Sequence, residues 1–132
     1  MKIVVLAVFV ALGLAGAANA QEPKFDGARA VKGEASYRTY CGSCHGKQAL
    51  GDGPLTEYLK VAPSNLTELS SKNQGEFPYD EVFETIQKGS KVRGHGSTDM
   101  PAWGDDFLQT DTENEVHERI TTLVHYIWSL NR

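Results

Sequence analysis

The segment Cys41-Gly42-Ser43-Cys44-His45 constrains this chain more than any other stretch. It contains the only two cysteines in 132 residues, three positions apart, with an imidazole directly after the second. A Cys41–Cys44 disulfide would close a very small loop and stabilise little, because the loop-entropy gain grows with loop length. A redox dithiol belongs to a strand-to-helix junction in a βαβ pattern. Upstream, "GARAVKGEASYRTY" reads as helix, and strand-like alternation is scarce throughout. Zinc would need further ligands, yet His95, His117 and His125 complete no usual pattern, the last two standing outside the three-to-five-residue His spacing.

One chemistry uses all three residues. In Cys-x-x-Cys-His the two thiols add across the vinyl groups of haem, and the adjacent histidine binds iron. Two intervening residues let one helical turn span the pyrrole edge, with His45 projecting toward the metal. Haem c attached through Cys41 and Cys44 is therefore the expected cofactor.

The amino terminus supplies the cellular context. Lys2 is a short basic region, Ile3 to Leu14 an apolar run, and Ala18-Asn19-Ala20 a small-residue cleavage site. This is the pattern of a secretory signal peptide over residues 1–20, with a single domain over 21–132 and a periplasmic location expected. The alternative, an uncleaved anchor, has an apolar run short of the roughly 20 residues a bilayer requires. Cleavage moves the net charge from −4 to −5, because the leader holds one base and no acid. Such an acidic balance argues against nucleic-acid binding, since phosphates would repel the protein. It leaves room for docking on a basic protein patch.

If His45 holds one face of iron, Met100 is the candidate for the other. It is the single methionine after the leader, in the loop "GHGSTDMPAWG". Pro101 excludes a continuing helix and biases Met100 toward extended backbone, and Gly94, Gly96 and Gly104 let the loop curve. A gap-filling thioether is the plainer alternative. His95 is the competing ligand, and bis-histidine ligation would lower the reduction potential relative to His/Met. His117 and His125 are read as solvent-facing on a helix.

With these residues in view, the chain resembles a class I monohaem cytochrome c of the small bacterial kind. The resemblance runs over residues 27 to 131 and is carried by "CGSCH", "GDGP", "PSNL", "MPAW" and "LVHYIWSL". It implies an all-α cytochrome c fold, three to four short helices wrapped around one covalently bound haem c, with electron transfer as the role. It also implies that the N- and C-terminal helices cross, so that Gly33 and Tyr37 meet Leu123 and Tyr126. A loop proline carbonyl should orient His45 through Nδ1, with Pro63 the first candidate and Pro54 the second. Trp103 either donates its indole N–H to a haem propionate or packs in the core.

The residues themselves agree on helices. Thr112-Glu113-Asn114-Glu115 forms a capping box, followed by an apolar stripe of Val116, Ile120, Leu123, Ile127 and Leu130. Asp111, Glu113 and Glu115 complement the helix dipole. A first helix is expected from Asp26 to Tyr40, with Ala30, Gly33 and Tyr37 on one face. A short helix is expected over Thr56 to Lys60, and another is capped by Asp80, ends at Gly89 and turns Val82, Phe83 and Ile86 inward.

Haem with both axial positions filled by protein suits one-electron transfer. No nucleophile–base arrangement or substrate-pocket motif is present, so an enzyme is not expected. The expectation is a monomeric carrier that docks briefly on donor and acceptor proteins. A haem subunit of a larger dehydrogenase or oxidase is the alternative. A sensor or peroxidase is the third reading, should Met100 not bind.

Overall fold

The computed structural model describes residues 23–89 and 100–132. The expected leader falls outside the described residues, as do His95 and the flanking Lys91, Arg93, Gly94 and Gly96. Six α-helices and no strand occur among the described residues: α1 (Gly27–Tyr40), α2 (Gly42–His45), α3 (Leu69–Lys72), α4 (Tyr79–Lys88), α5 (Trp103–Phe107) and α6 (Glu113–Ser129). Two 3₁₀ turns, Thr56–Tyr58 and Leu66–Glu68, sit between α2 and α3. Three helices have two turns or more. The additional ones, α2, α3 and α5, are single turns too short to leave an apolar period in the sequence.

Local signals set the ends of the long helices. Asp26 is the N-cap of α1, its carboxylate accepting from the Ala28 and Arg29 N–H groups. Thr112 and Glu115 form the expected reciprocal box at the start of α6, a cap worth about 1 kcal/mol. Asp111, one residue earlier, is ion-paired with Arg119, whose guanidinium also lies 4.9 Å from the centre of the Phe107 ring. At α4 the expected cap is displaced. Pro78 occupies the N-cap position and Asp80 lies in the first turn, where its charge complements the helix dipole. Gly89 closes that helix with φ +77°, a conformation glycine adopts freely. The segment expected as a helix over Thr56 to Lys60 is only the 3₁₀ turn, because Leu59 returns to extended backbone.

The core is built where α1 crosses α6, the largest helix–helix interface of the fold. Ala30, Gly33 and Tyr37 are the buried residues of α1. A Cβ added at Gly33 would fall on the Thr122 carbonyl and touch the Tyr126 Cβ. The closest backbone approach is thus to Thr122, one residue before the expected Leu123, and Leu123 is itself fully buried. The Tyr37 and Tyr126 rings meet at 4.9 Å. From α4, Val82 and Ile86 join this core, with Phe83 packed at its margin.

One expectation for α6 is overturned. His117 is exposed, but His125 is buried, with only 3% of its surface accessible. Its imidazole stacks on Trp128 at 5.7 Å, and Trp128 stacks in turn on Phe77 at 5.1 Å. Phe25 and Tyr79 meet His125 edge-on. The buried face of α6 is wider than its aliphatic stripe, because aromatic side chains from two other segments, Phe25 and the Phe77–Tyr79 stretch, cover it.

The end of the chain is fastened to the middle. The Asn131 amide donates to the Leu66 and Ile127 carbonyls and its oxygen accepts from the Ser70 N–H. Between α3 and α4 lies an exposed turn, Asn73 to Glu76, in which Gln74 has φ +58° and a Cβ at Gly75 would touch nothing. Among the described residues no helix is long and apolar enough to cross a membrane.

Candidate haem-binding site

The site begins where α1 stops. Cys41 caps α1, its N–H donating to the Tyr37 carbonyl, and α2 carries Cys44 and His45 round one further turn. Gly46, at φ +84°, ends that turn. The "GDGP" segment then folds back onto it. Gly53 N–H donates to the Cys44 carbonyl at 3.1 Å and Leu55 N–H to the Ser43 carbonyl at 2.9 Å. A Cβ at Gly53 would fall on both of those carbonyls, so only glycine admits the approach. The Thr56 hydroxyl lies 3.2 Å from the Cys44 carbonyl and 3.2 Å from that of Gly51. Nothing in the sequence singled out Thr56, because its role depends on two carbonyls converging from separate turns.

Cys41 is buried, Cys44 is half-buried, and the two are not bridged. Burial, reinforced by the neighbouring Cys44, pushes the Cys41 thiol up to about 12. A thiol held so far from ionisation is a poor redox nucleophile. Burial likewise pushes His45 below its ordinary value, with the hydrogen bond to Ser64 opposing. A neutral imidazole is the metal-binding form.

The His45 Nδ1 lies 3.1 Å from the Ser64 carbonyl. This corrects the expected acceptor by one residue: neither Pro63 nor Pro54 receives the bond. The Pro63 carbonyl instead faces Gly51, where a Cβ would collide with it. With Nδ1 donating to Ser64, Nε2 is the lone-pair nitrogen, and no hydrogen bond engages it among the described residues. Met100 is partly buried and packs against the core. Trp103 opens α5, stacked on Phe107 at 5.7 Å and edge-on to Tyr40 at 5.3 Å. It therefore packs, and its indole N–H has no protein acceptor among the described residues. Among those residues no group of three His, Cys, Asp or Glu side chains is arranged to hold a bare metal ion.

Two free thiols and an imidazole with a fixed tautomer on an all-helical scaffold fit a c-type haem, and the fold is that of a monohaem c-type cytochrome. The family model for cytochrome c oxidase, cbb3-type, subunit III matches residues 28–118, and the chain belongs to that family. No curated protein and no solved structure matches the chain.

Proposed function

We propose that this protein is an exported, monomeric single-electron carrier in which Cys41 and Cys44 hold haem c and His45 and Met100 are the axial ligands. The observation that carries the reading is the His45 imidazole, its Nδ1 fixed by the Ser64 carbonyl directly after two unbridged cysteines. When bound, haem supplies the one-electron iron couple. The protein's part is to hold His45 neutral and oriented, to present a thioether that favours the ferrous state, and to keep water from the buried thiol side. Trp103, whose N–H has no protein acceptor among the described residues, is the donor we assign to a propionate. Residues 1–20 direct export and are removed, leaving the carrier in the periplasm. Its partners are donor and acceptor proteins met in brief contacts, typically below about 1,200 Å² of buried surface.

A second reading has one specific support. The matched family is described as an oxidase subunit, so the domain also suits a fixed electron-entry subunit of a larger complex. A redox titration of the purified holoprotein with visible spectra tests the common core of both readings. The expected result is a single one-electron wave with the spectrum of low-spin c-type haem and a weak near-infrared thioether band in the oxidised form. A high-spin spectrum would overturn His/Met ligation. Co-purification with a membrane complex would favour the subunit reading over the free carrier.

A further inference from the structure

Resting on the haem reading above, we propose that Tyr37 is a positioning residue for the His45 ligand, acting through the Gly46 carbonyl. Six hydrogen bonds restrain the His45–Gly46 segment, among them Gly46 N–H to the Gly42 carbonyl at 3.0 Å and Ala49 N–H to the Gly46 carbonyl at 3.2 Å. His45 N–H donates to the Cys41 carbonyl at 2.8 Å, and the His45 carbonyl accepts from the Gly51 N–H at 2.8 Å. Nδ1 lies 3.1 Å from the Ser64 carbonyl. The Tyr37 hydroxyl donates to the Gly46 carbonyl at 2.8 Å. Only the last comes from a side chain outside the loop that surrounds the ligand. It ties the ligand's own turn to α1, and the Tyr37 ring is held at 4.9 Å by Tyr126 of α6.

The hydroxyl is not needed for packing. Tyr37 is fully buried, and a phenylalanine ring would fill nearly the same volume. Gly46 is buried as well, so without the Tyr37 donor its carbonyl keeps only the longer bond from the Ala49 N–H at 3.2 Å. Gly46 also stands at φ +84°, where the chain reverses and the peptide plane can rock if released. Burial pushes the Tyr37 phenol far above its ordinary range, so it stays a neutral donor throughout the physiological span. Tyr37 thus fixes the peptide immediately after His45, as Ser64 fixes its ring.

The test compares haem-loaded wild type, Tyr37→Phe and Thr112→Ala. The last removes the distant α6 cap and lowers folding equilibrium by about fivefold without touching the site. The readouts are the paramagnetically shifted haem-methyl proton resonances of the ferric protein and the midpoint potential. Tyr37→Phe should retain covalent haem and helical content while narrowing the spread of the four methyl resonances, because the imidazole samples more orientations. Its potential should move, whereas Thr112→Ala should keep the wild-type resonances and potential. Unmoved resonances in Tyr37→Phe, or equal shifts in both variants, would overturn the proposal. If Tyr37→Phe does not hold haem, 3-fluorotyrosine placed at position 37 alone supplies a stronger donor in the same volume. It must shift the methyl resonances, and failure to do so overturns the proposal. Wild type without covalent haem sinks the haem reading and this inference with it, whereas haem with unmoved resonances sinks only the role of Tyr37.

Discussion

The backbone N–H of Asp26 donates to Nδ1 of His125 at 3.2 Å, joining residues 99 positions apart. The bond requires an unprotonated Nδ1, so the N-cap of α1 is fastened by a neutral imidazole. Burial, with Arg29 nearby, holds His125 below its ordinary value, against the opposing pull of Asp26 and Glu118. A histidine whose folded value is depressed binds fewer protons when folded than when unfolded. Its contribution is therefore complete above the unfolded value of about 6.5 and is lost as pH falls through the folded one. Unfolding free energy of the holoprotein should decline from pH 7.5 toward pH 5, and His125→Gln should flatten that slope. Asp26 and Glu115 are shifted down chiefly by backbone hydrogen bonds, so their contributions fade only in the carboxylate range and below. An unchanged slope in His125→Gln would show that the decline arises elsewhere.

Gly33 admits no side chain without displacing the Thr122 backbone. Gly33→Ala should destabilise the fold by at least the roughly 1–3 kcal/mol of an overpacked core, lowering Tm by roughly 4–8 °C for each kcal/mol in a domain of this size. Gly27→Ala is the control. Its Cβ would meet only Phe25 at 3.7 Å, an ordinary contact, so thermal unfolding should show little change or a slight gain.

Removing both attachment points, Cys41→Ala with Cys44→Ala, should leave a poorly folded chain. Helices of one to five turns are marginal alone, and haem adds covalent links and an apolar surface to a small core. Far-ultraviolet circular dichroism should show little helix. A fully helical, cooperatively melting double variant would refute the dependence on haem.

Met100→Ala should open the sixth position, lower the reduction potential and admit cyanide or carbon monoxide, because a soft thioether favours ferrous iron. Met100→His should keep six ligands and also lower the potential. His95 stands in the same loop and can take the vacated position. The double change with His95→Ala should therefore give the most accessible iron. An unchanged spectrum and potential in Met100→Ala would exclude it as a ligand.

Charge should set the docking rate. Residues 105–132 hold six acids against two bases, and Lys88 is engaged by Glu84 at 2.6 Å. The negative field on this part of the chain favours a basic partner. Stopped-flow association should slow as ionic strength rises from about 0.01 to 0.15 M, over which the Debye length falls from about 30 to 8 Å. A flat rate would assign docking to apolar contact.

Features encoded by neighbouring residues were legible in the sequence. Cys41, Cys44 and His45 lie within one turn, and Thr112 and Glu115 are three apart. What was not legible depends on segments distant in sequence. His125 is buried because Phe25 and Tyr79 converge on it and Phe77 backs Trp128, and no helical period records that. The acceptor for Nδ1 is Ser64 rather than Pro63 because the loop's carbonyl directions depend on its packing against Gly51. Thr56 and Tyr37 act through backbone carbonyls, which carry no residue-type signature at all.

The exposed turn from Asn73 to Glu76 divides the fold unevenly in function but evenly in adhesion. Everything before it carries Cys41, Cys44, His45 and Ser64, and everything after it carries Met100 and α6. Yet the principal interface, α1 on α6, spans the division, as do the Asn131 hydrogen bonds to Leu66 and Ser70. Cutting the backbone there removes a tether whose entropic worth grows only slowly with its length. On the proposed ligation the two pieces would be halves of a split protein, one bearing the thiols and the other the thioether, and mixing them should restore the colour of the completed centre.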